Sequence, residues 1–291
     1  MTPKVLVEQL ELTIGTHGGP RVLVEAIESI LHETFGASRI TATERASALL
    51  QSVKARILKK HGAAEDSGTL AVLMIIGSTD EIVCGTCHIL ALDDEPTTRA
   101  KSNRALTADI HTHLKQLSFS EFEKFGKQIL FELGAGSAHV TSHSNDQGID
   151  FFGKFNFGEF HGLPKPFYKL AHDVNLLFTG QAKHYPNSSL SPSVVRELIG
   201  AVSLARTKTH SKDGVDIFKD LDMRPFSPVV ALLFTTGSLS SGARHLAAAA
   251  GMIAKDGLQL ATFLADQGVG LLQEANHIRF DKQKFSDWLD R

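Results

Sequence analysis

Apolar residues between Ser118 and Leu133 recur at Phe119, Phe122, Phe125, Ile129, Leu130 and Leu133. That spacing lines one face of a helix, and Gly134 and Gly136 supply its stop. Beyond it the pattern shortens to strand-like runs at His139 to Ser142, Ile149 to Phe155, Val174 to Ala182 and Val229 to Thr235. Between the last two, a helix is predicted from Pro192 to about Thr207, with Ser191 as its N-cap and Pro192 at its first position, where a missing N–H costs nothing. Further helices are predicted at about Ser241 to Met252 and Leu258 to Gln267. Helices that cover a central mixed sheet make an α/β domain.

The first third of the chain has a different rhythm. Two amphipathic helices are predicted at about Pro20 to Phe35 and Thr43 to His61, the second opened by the capping sequence Thr41-Ala42-Thr43-Glu44, and strands at Leu70 to Ile76 and Ile82 to Leu92 follow. Helices followed by a small hairpin suit a winged helix, among other folds. The polar stretch Asp93-Asp94-Glu95-Pro96-Thr97-Thr98 precedes a polar helix around Ala100 to Leu114 and is the best candidate boundary. The expected division is a module over residues 1–98 and an α/β domain over 99–291, with no internal repeat.

Composition narrows the classes. At 291 residues, 42% hydrophobic and 21% charged, the chain can bury a sizeable core, which excludes disorder and low complexity. A net charge of −2 announces no global basic field, so a nucleic-acid partner would be held locally. No apolar run approaches the roughly 18 residues of a membrane span, so no membrane partner is expected. The N-terminus reads as having no secretory leader, which points to the cytoplasm. Two cysteines are too few for a disulfide scaffold.

One constellation carries chemistry. Asp150 opens a strand after the turn Asn145-Asp146-Gln147-Gly148, and Gln181-Ala182-Lys183 closes another. Side chains two apart in a strand share a face, so Gln181 and Lys183 project together. Were the two strands neighbours, a carboxylate, an amide oxygen and an ammonium would converge. Asp150 and Gln181 offer the hard oxygen ligands a magnesium ion requires, and the lysine can orient an attacking water, the outline of a phosphodiesterase. By spacing alone, an Asp at a strand start and a Lys at a strand end are more often solubilising charges.

The ordered motifs go further. Phe119-Ser120-Glu121-Phe122-Glu123 opens a helix that ends Leu130-Phe131-Glu132-Leu133-Gly134, followed by Asp146-Gln147-Gly148-Ile149-Asp150 and then Gln181-Ala182-Lys183-His184-Tyr185. The series resembles the Mrr-type catalytic domain of restriction endonucleases. It continues through Val195 to Ala201, the strand ending Phe234-Thr235-Thr236-Gly237, the helix Gly242-Ala243-Arg244 to Ala250, and Lys255-Asp256-Gly257 to Leu264, covering about Leu117 to Gly270. The resemblance implies a PD-(D/E)XK fold, a restriction-endonuclease-like central mixed sheet flanked by helices, with metal-dependent hydrolysis of DNA. It places Asp150 as the metal-binding aspartate, Gln181 and Lys183 as the Q-x-K pair, the Ala182 carbonyl in the metal shell, and Glu123 as the helix glutamate. Because Gln181 replaces a carboxylate, Glu123 is expected to compensate in charge. Periodicity does not separate Glu123 from Glu121, since both flank the Phe122-centred stripe equally. Family position alone selects Glu123.

Other features compete. Cys84-Gly85-Thr86-Cys87-His88 has the spacing of a haem attachment site and offers three soft metal ligands. Haem attachment requires export and structural zinc requires a fourth ligand, so ordinary hairpin cysteines are the favoured reading. His143 and His184 read as surface or packing residues rather than general bases. Thr207 to Lys212, with Arg196 and Arg206, is the most basic neighbourhood of the site, fit for phosphates or for a solvated helix end. Two stretches, Gly158 to Asp173 and about Ser211 to Pro225, are longer than the resemblance leads one to expect and read as loops. Trp288 reads as an anchor for the C-terminus.

The expectation is therefore a Mg2+-dependent endonuclease, with Mn2+ as an alternative ion, acting on double-stranded DNA in restriction or defence. Cutting both strands calls for a homodimer or higher assembly. The rivals are a non-catalytic DNA-binding or regulatory protein that keeps the fold, and a repair nuclease.

Overall fold

The computed structural model describes all residues except 78–80, 142–147, 160–165, 167–168, 170–173, 209–222, 225 and 275–276. The expected loops therefore lie largely outside the described residues, as does His143. Two compact units divide the chain, one comprising Met1–Ala108 with Thr262–Phe280 and the other Asp109–Ala261 with Asp281–Arg291.

In the first unit, helix α1 (Pro3–Ile14) buries Leu6, Val7, Leu10 and Ile14. These have helical spacing, which a reading of the N-terminus as leader or no leader passes over. Strand β1 (Arg21–Val22) leads into α2 (Leu23–Ser29), which runs on as a π-turn over Ile30–Thr34. The long helix α3 (Arg39–Ser67) starts earlier than predicted because Ser38, rather than Thr41, is its cap: the Thr41 N–H donates to Ser38 Oγ at 3.2 Å. Strands β2 (Leu73–Ile76) and β3 (Ile82–Gly85) pair antiparallel with Ile76 opposite Ile82. The three strands have the order β1-β3-β2, so helix, strand, two helices and a hairpin follow one another in winged-helix order. Residues 93–98 are a helix start rather than a linker, since Asp94 Oδ1 accepts from the Thr97 N–H at 2.9 Å and opens α4 (Glu95–Arg104). The predicted polar helix is thus two helices, α4 and α5 (Thr107–Leu114), broken at Ala105 and Leu106.

The second unit is built on a five-stranded mixed sheet flanked by helices. Its strands are β4 (Ser137–Val140), β5 (Phe151–Asn156), β6 (Asn175–Lys183), β8 (Val229–Thr235) and β10 (Ile253–Lys255), in the order β10-β8-β6-β5-β4. The pairs β10–β8 and β8–β6 are parallel, whereas β6–β5 and β5–β4 are antiparallel. Short strands β7 (Ser189–Leu190) and β9 (Ser238–Leu239) form a separate parallel pair.

Helix α6 (Phe119–Glu132) packs on one face of the sheet. There Phe122 stacks on Phe125 with ring centroids 5.3 Å apart, and Phe151 stacks on Phe234 at 5.4 Å. The approach is close enough to require glycine: a Cβ on Gly180 would lie 2.1 Å from the Phe151 ring, and one on Gly126 2.4 Å from it. Helix α7 (Pro192–Arg206) and helix α8 (Ser241–Ala249) cover the opposite face, where Phe152, Leu177, Val195, Leu198, Leu233 and Ala243 are packed in one core. The C-terminal helix α10 (Lys282–Leu289) follows α9 (Gly257–Gln267) and the hairpin β11 (Leu271–Glu274) and β12 (His277–Phe280). Trp288, 5% exposed, packs edge-on to Phe125 and donates its indole N–H to Glu132 at 2.7 Å, the anchoring expected of it. Among the described residues no helix is long and apolar enough to cross a membrane.

Candidate active site

The register of β5 against β6 pairs Phe151 with Gly180. Immediately before Phe151, the Asp150 N–H donates to the Gly180 carbonyl at 2.8 Å, and Asp150 Oδ2 accepts the Ala182 N–H at 2.7 Å. A buried carboxylate, 8% exposed, is thereby tied to the backbone between the two residues of the Q-x-K pair. Thr141 fixes the same turn, its hydroxyl donating to the Ile149 carbonyl at 2.7 Å. The two strands that the sequence reading required to be neighbours are neighbours.

Gln181 and Lys183 share the α7 face of β6, as alternation demands. Gln181 is 1% exposed, and its Oε1 is buried with no hydrogen-bond donor among the described residues. An orphaned buried carbonyl costs about 1–3 kcal/mol and calls for an explanation. Its amide nitrogen donates to Glu197 Oε1 at 3.4 Å, and the same oxygen lies 3.7 Å from Lys183 Nζ. Glu197, on α7, was assigned no role by sequence reasoning. The sequence held no signal for it; in the fold, a Cβ built on Gly148, just ahead of Asp150, would lie 3.5 Å from the Ala201 Cβ and 3.8 Å from Glu197 Oε1.

Helix α6 separates the two acids that periodicity left equivalent. Glu121 closes a capping box: Ser118 Oγ accepts from the Glu121 N–H at 3.2 Å, and the Glu121 carboxylate accepts the Ser118 N–H at 2.7 Å. Those bonds hold its carboxyl below the ordinary glutamate value. Glu123 lies half-buried on the same helix, and α6 packs against the face opposite to the one bearing Gln181 and Lys183. Among the described residues no three or more His, Cys, Asp or Glu side chains gather as a ready-made metal cluster.

His184 is a packing residue. Its ring meets Phe119 edge-on with centroids 5.3 Å apart, and burial pushes its pKa below the ordinary histidine value, which favours the neutral ring. Cys84 and Cys87 are free buried thiols in the first unit, and burial raises both pKa values. The neighbouring His88 directs Nδ1 to the His17 carbonyl at 3.3 Å.

Residues 114–212, about a third of the chain, match the model of a restriction endonuclease family, the Mrr-type catalytic domain. The match takes in Glu123, Asp150, Gln181 and Lys183 and stops short of the later motifs. No curated protein matches the chain. Among solved structures, the MspJI restriction endonuclease in complex with a 27-mer oligonucleotide is 18% identical, with a TM-score of 0.36 over 62% of this chain and 36% of that one. The DNA modification-dependent restriction endonuclease AspBHI is 16% identical, with a TM-score of 0.38 over 69% and 43%. Restriction endonuclease FokI bound to DNA is 11% identical, with a TM-score of 0.33 over 91% and 44%. The chain spans less than half the length of each.

Proposed function

We propose, from the match of residues 114–212 to the Mrr-type restriction endonuclease model, that the protein is a divalent-metal-dependent endonuclease that hydrolyses DNA phosphodiester bonds in restriction of foreign DNA. The observation that carries this reading is the buried, donorless Gln181 Oε1 next to the Asp150–Ala182 bond. A neutral carbonyl oxygen kept out of water, one residue from the backbone N–H that Asp150 accepts, suits a cation, which satisfies it without a proton. The donor set, all hard oxygen, suits Mg2+ or Mn2+.

Asp150, Gln181 Oε1 and the Ala182 carbonyl would hold the ion, with Glu123 joining from α6 in the role its family position implies. When bound, such an ion neutralises charge on the phosphoryl oxygens and makes water a stronger acid. The chain does the rest. Lys183, only 22% exposed along its side chain, orients the attacking water and offers positive charge where the phosphate gains negative charge. The Ala182 N–H locks Asp150 in one rotamer, so little reorganisation is needed as DNA arrives.

The first unit is the recognition module in this proposal. Arg45, Arg56 and Lys59 are exposed along α3, where they can meet phosphates without any global positive charge. Cutting both strands then takes two copies of the chain. Purified protein is expected to cut plasmid DNA with Mg2+ or Mn2+ and to stop in EDTA; cutting undiminished by EDTA defeats the reading. Asp150→Ala should lower the rate by on the order of 10³ while duplex binding persists.

A further inference from the structure

A strand that carries Gln181 in place of an acid leaves the pocket poorly charged for a cation. Asp150 contributes one negative charge and Lys183 one positive charge, so the two residues on the strand ends nearly cancel. Ions of this class are held by one or two carboxylates, and the missing charge has to enter from another element. Glu123 on α6 is one source of it, although α6 packs on the far face of the sheet, where Gly126 lies against the Phe151 ring. Helix α7 packs on the near face, and Glu197 is its acid at the site.

We propose that Glu197 is a further carboxylate of the metal site, carried on α7 and adding to Asp150 and to the Glu123 of α6. This rests on the endonuclease reading above. Glu197 Oε1 is within reach of both neighbours, 3.4 Å from Gln181 Nε2 and 3.7 Å from Lys183 Nζ. Both distances are long for such groups, so neither contact saturates the carboxylate. Its side chain is 55% exposed while that of Lys183 is 22% exposed, so Glu197 is the more open of the two to solvent. Independently, the Gln181 Oε1 on the other branch of the same amide is buried without a donor. One side chain thus presents its N–H to the acid on α7 and an unanswered oxygen to the interior. With the Gln181 amide turned over, its oxygen would face Glu197, and a cation held by Asp150, that oxygen and Glu197 would answer it and supply the charge balance the strand lacks. An ordinary exposed ion pair with Lys183 would explain the 3.7 Å contact alone and would be worth about 0–1 kcal/mol; it does not explain the orphaned oxygen.

The test measures Mn2+ binding to the intact chain without DNA, by the loss of the free-ion electron paramagnetic resonance signal. Glu197→Gln preserves size and helix and is expected to weaken Mn2+ at least tenfold, as Asp150→Asn should. Restoring an acid on the strand, in the double variant Glu197→Gln with Gln181→Glu, is expected to recover most of that loss. If Asp150→Asn loses Mn2+ and Glu197→Gln binds as the wild type does, the assignment of Glu197 is overturned and the active-site reading stands. If the double variant binds no better than Glu197→Gln, the loss did not come from charge at this position and the assignment is likewise overturned. If Mn2+ affinity ignores both Asp150 and Glu197, the site reading falls and the proposal falls with it.

Discussion

On the α6 side of the central sheet, Phe122, Phe125, Phe151 and Phe234 fill the space, and two glycines make room for a single ring. On the α7 side the same strands end in Asp150, Gln181 and Lys183, with Glu197 across from them. Gly180 and Gln181 are adjacent in β6, yet one lies against Phe151 and the other beside a carboxylate. The period of two lets one strand present a packed face and a polar face. The aromatic face tolerates no added carbon, so it holds the backbone of residues 150 and 180–183 rigidly, and the polar face inherits that precision. Loss of packing should therefore act on stability, and loss of a polar group on rate.

The largest effect expected on the aromatic side comes from Phe125→Ala, which empties a fully buried site between Phe122 and Trp288. It should cost about 3–5 kcal/mol of unfolding free energy. Urea titration followed by tryptophan fluorescence measures it, since Trp288 is the chain's single tryptophan and lies against that ring. At temperatures where the variant remains folded, Mn2+ binding should be nearly normal. A variant as stable as the wild type would contradict the division between the faces.

The polar side is tested by Lys183→Ala, expected to slow cleavage by on the order of 10², about 2.7 kcal/mol in the barrier, with little change in stability. Single-turnover cutting at saturating enzyme gives the rate, and a DNA titration in calcium gives binding. Lys183→Arg should rescue only in part, because a planar fork does not place its charge where a compact ammonium does. A Lys183→Ala variant that cuts at the wild-type rate once saturated would reduce Lys183 to a binding residue.

The same division explains what the sequence made legible. Helix α6 was readable because its stripe is regular and Ser118 and Glu121 cap it locally, and the β8 strand because Val229 to Phe234 is an unbroken apolar run with the length of a buried strand. Asp150, Gln181 and Lys183 were readable as ordered motifs, and alternation alone placed the last two on one face. Other features depended on information that local patterns do not hold. The three-residue β10 gains its identity only by pairing with β8. The start of α3 turned on which of two hydroxyl residues caps it. Glu197 sits on an exposed flank of α7, where an acid is ordinary, and acquires meaning only once α7 is laid beside β6. Glu121 is committed to the helix cap, a difference from Glu123 that periodicity does not hold.

The smallest effect is expected where neither face is touched. Cys84 and Cys87 lie in the first unit, buried and reduced, with burial raising both thiol pKa values so that the protonated form prevails at neutral pH. Reactive or metal-binding cysteines show the reverse, a thiol acidified by nearby positive charge or by the metal itself. Cys84 is fully buried in the hairpin, so Cys84→Ser and Cys87→Ser exchange a weakly polar sulfur for a hydroxyl that the surroundings must satisfy, and a modest loss of stability, about 1–3 kcal/mol, is the expected cost. The rate of cleavage by the folded double variant should stay within a few fold of the wild type. Elemental analysis of the purified protein for zinc accompanies the assay. Bound zinc in the wild type, lost together with folding in the double variant, would establish a structural metal in the first unit, whereas a collapse of the cutting rate with folding intact would place chemistry outside the polar face of the sheet and break the comparison.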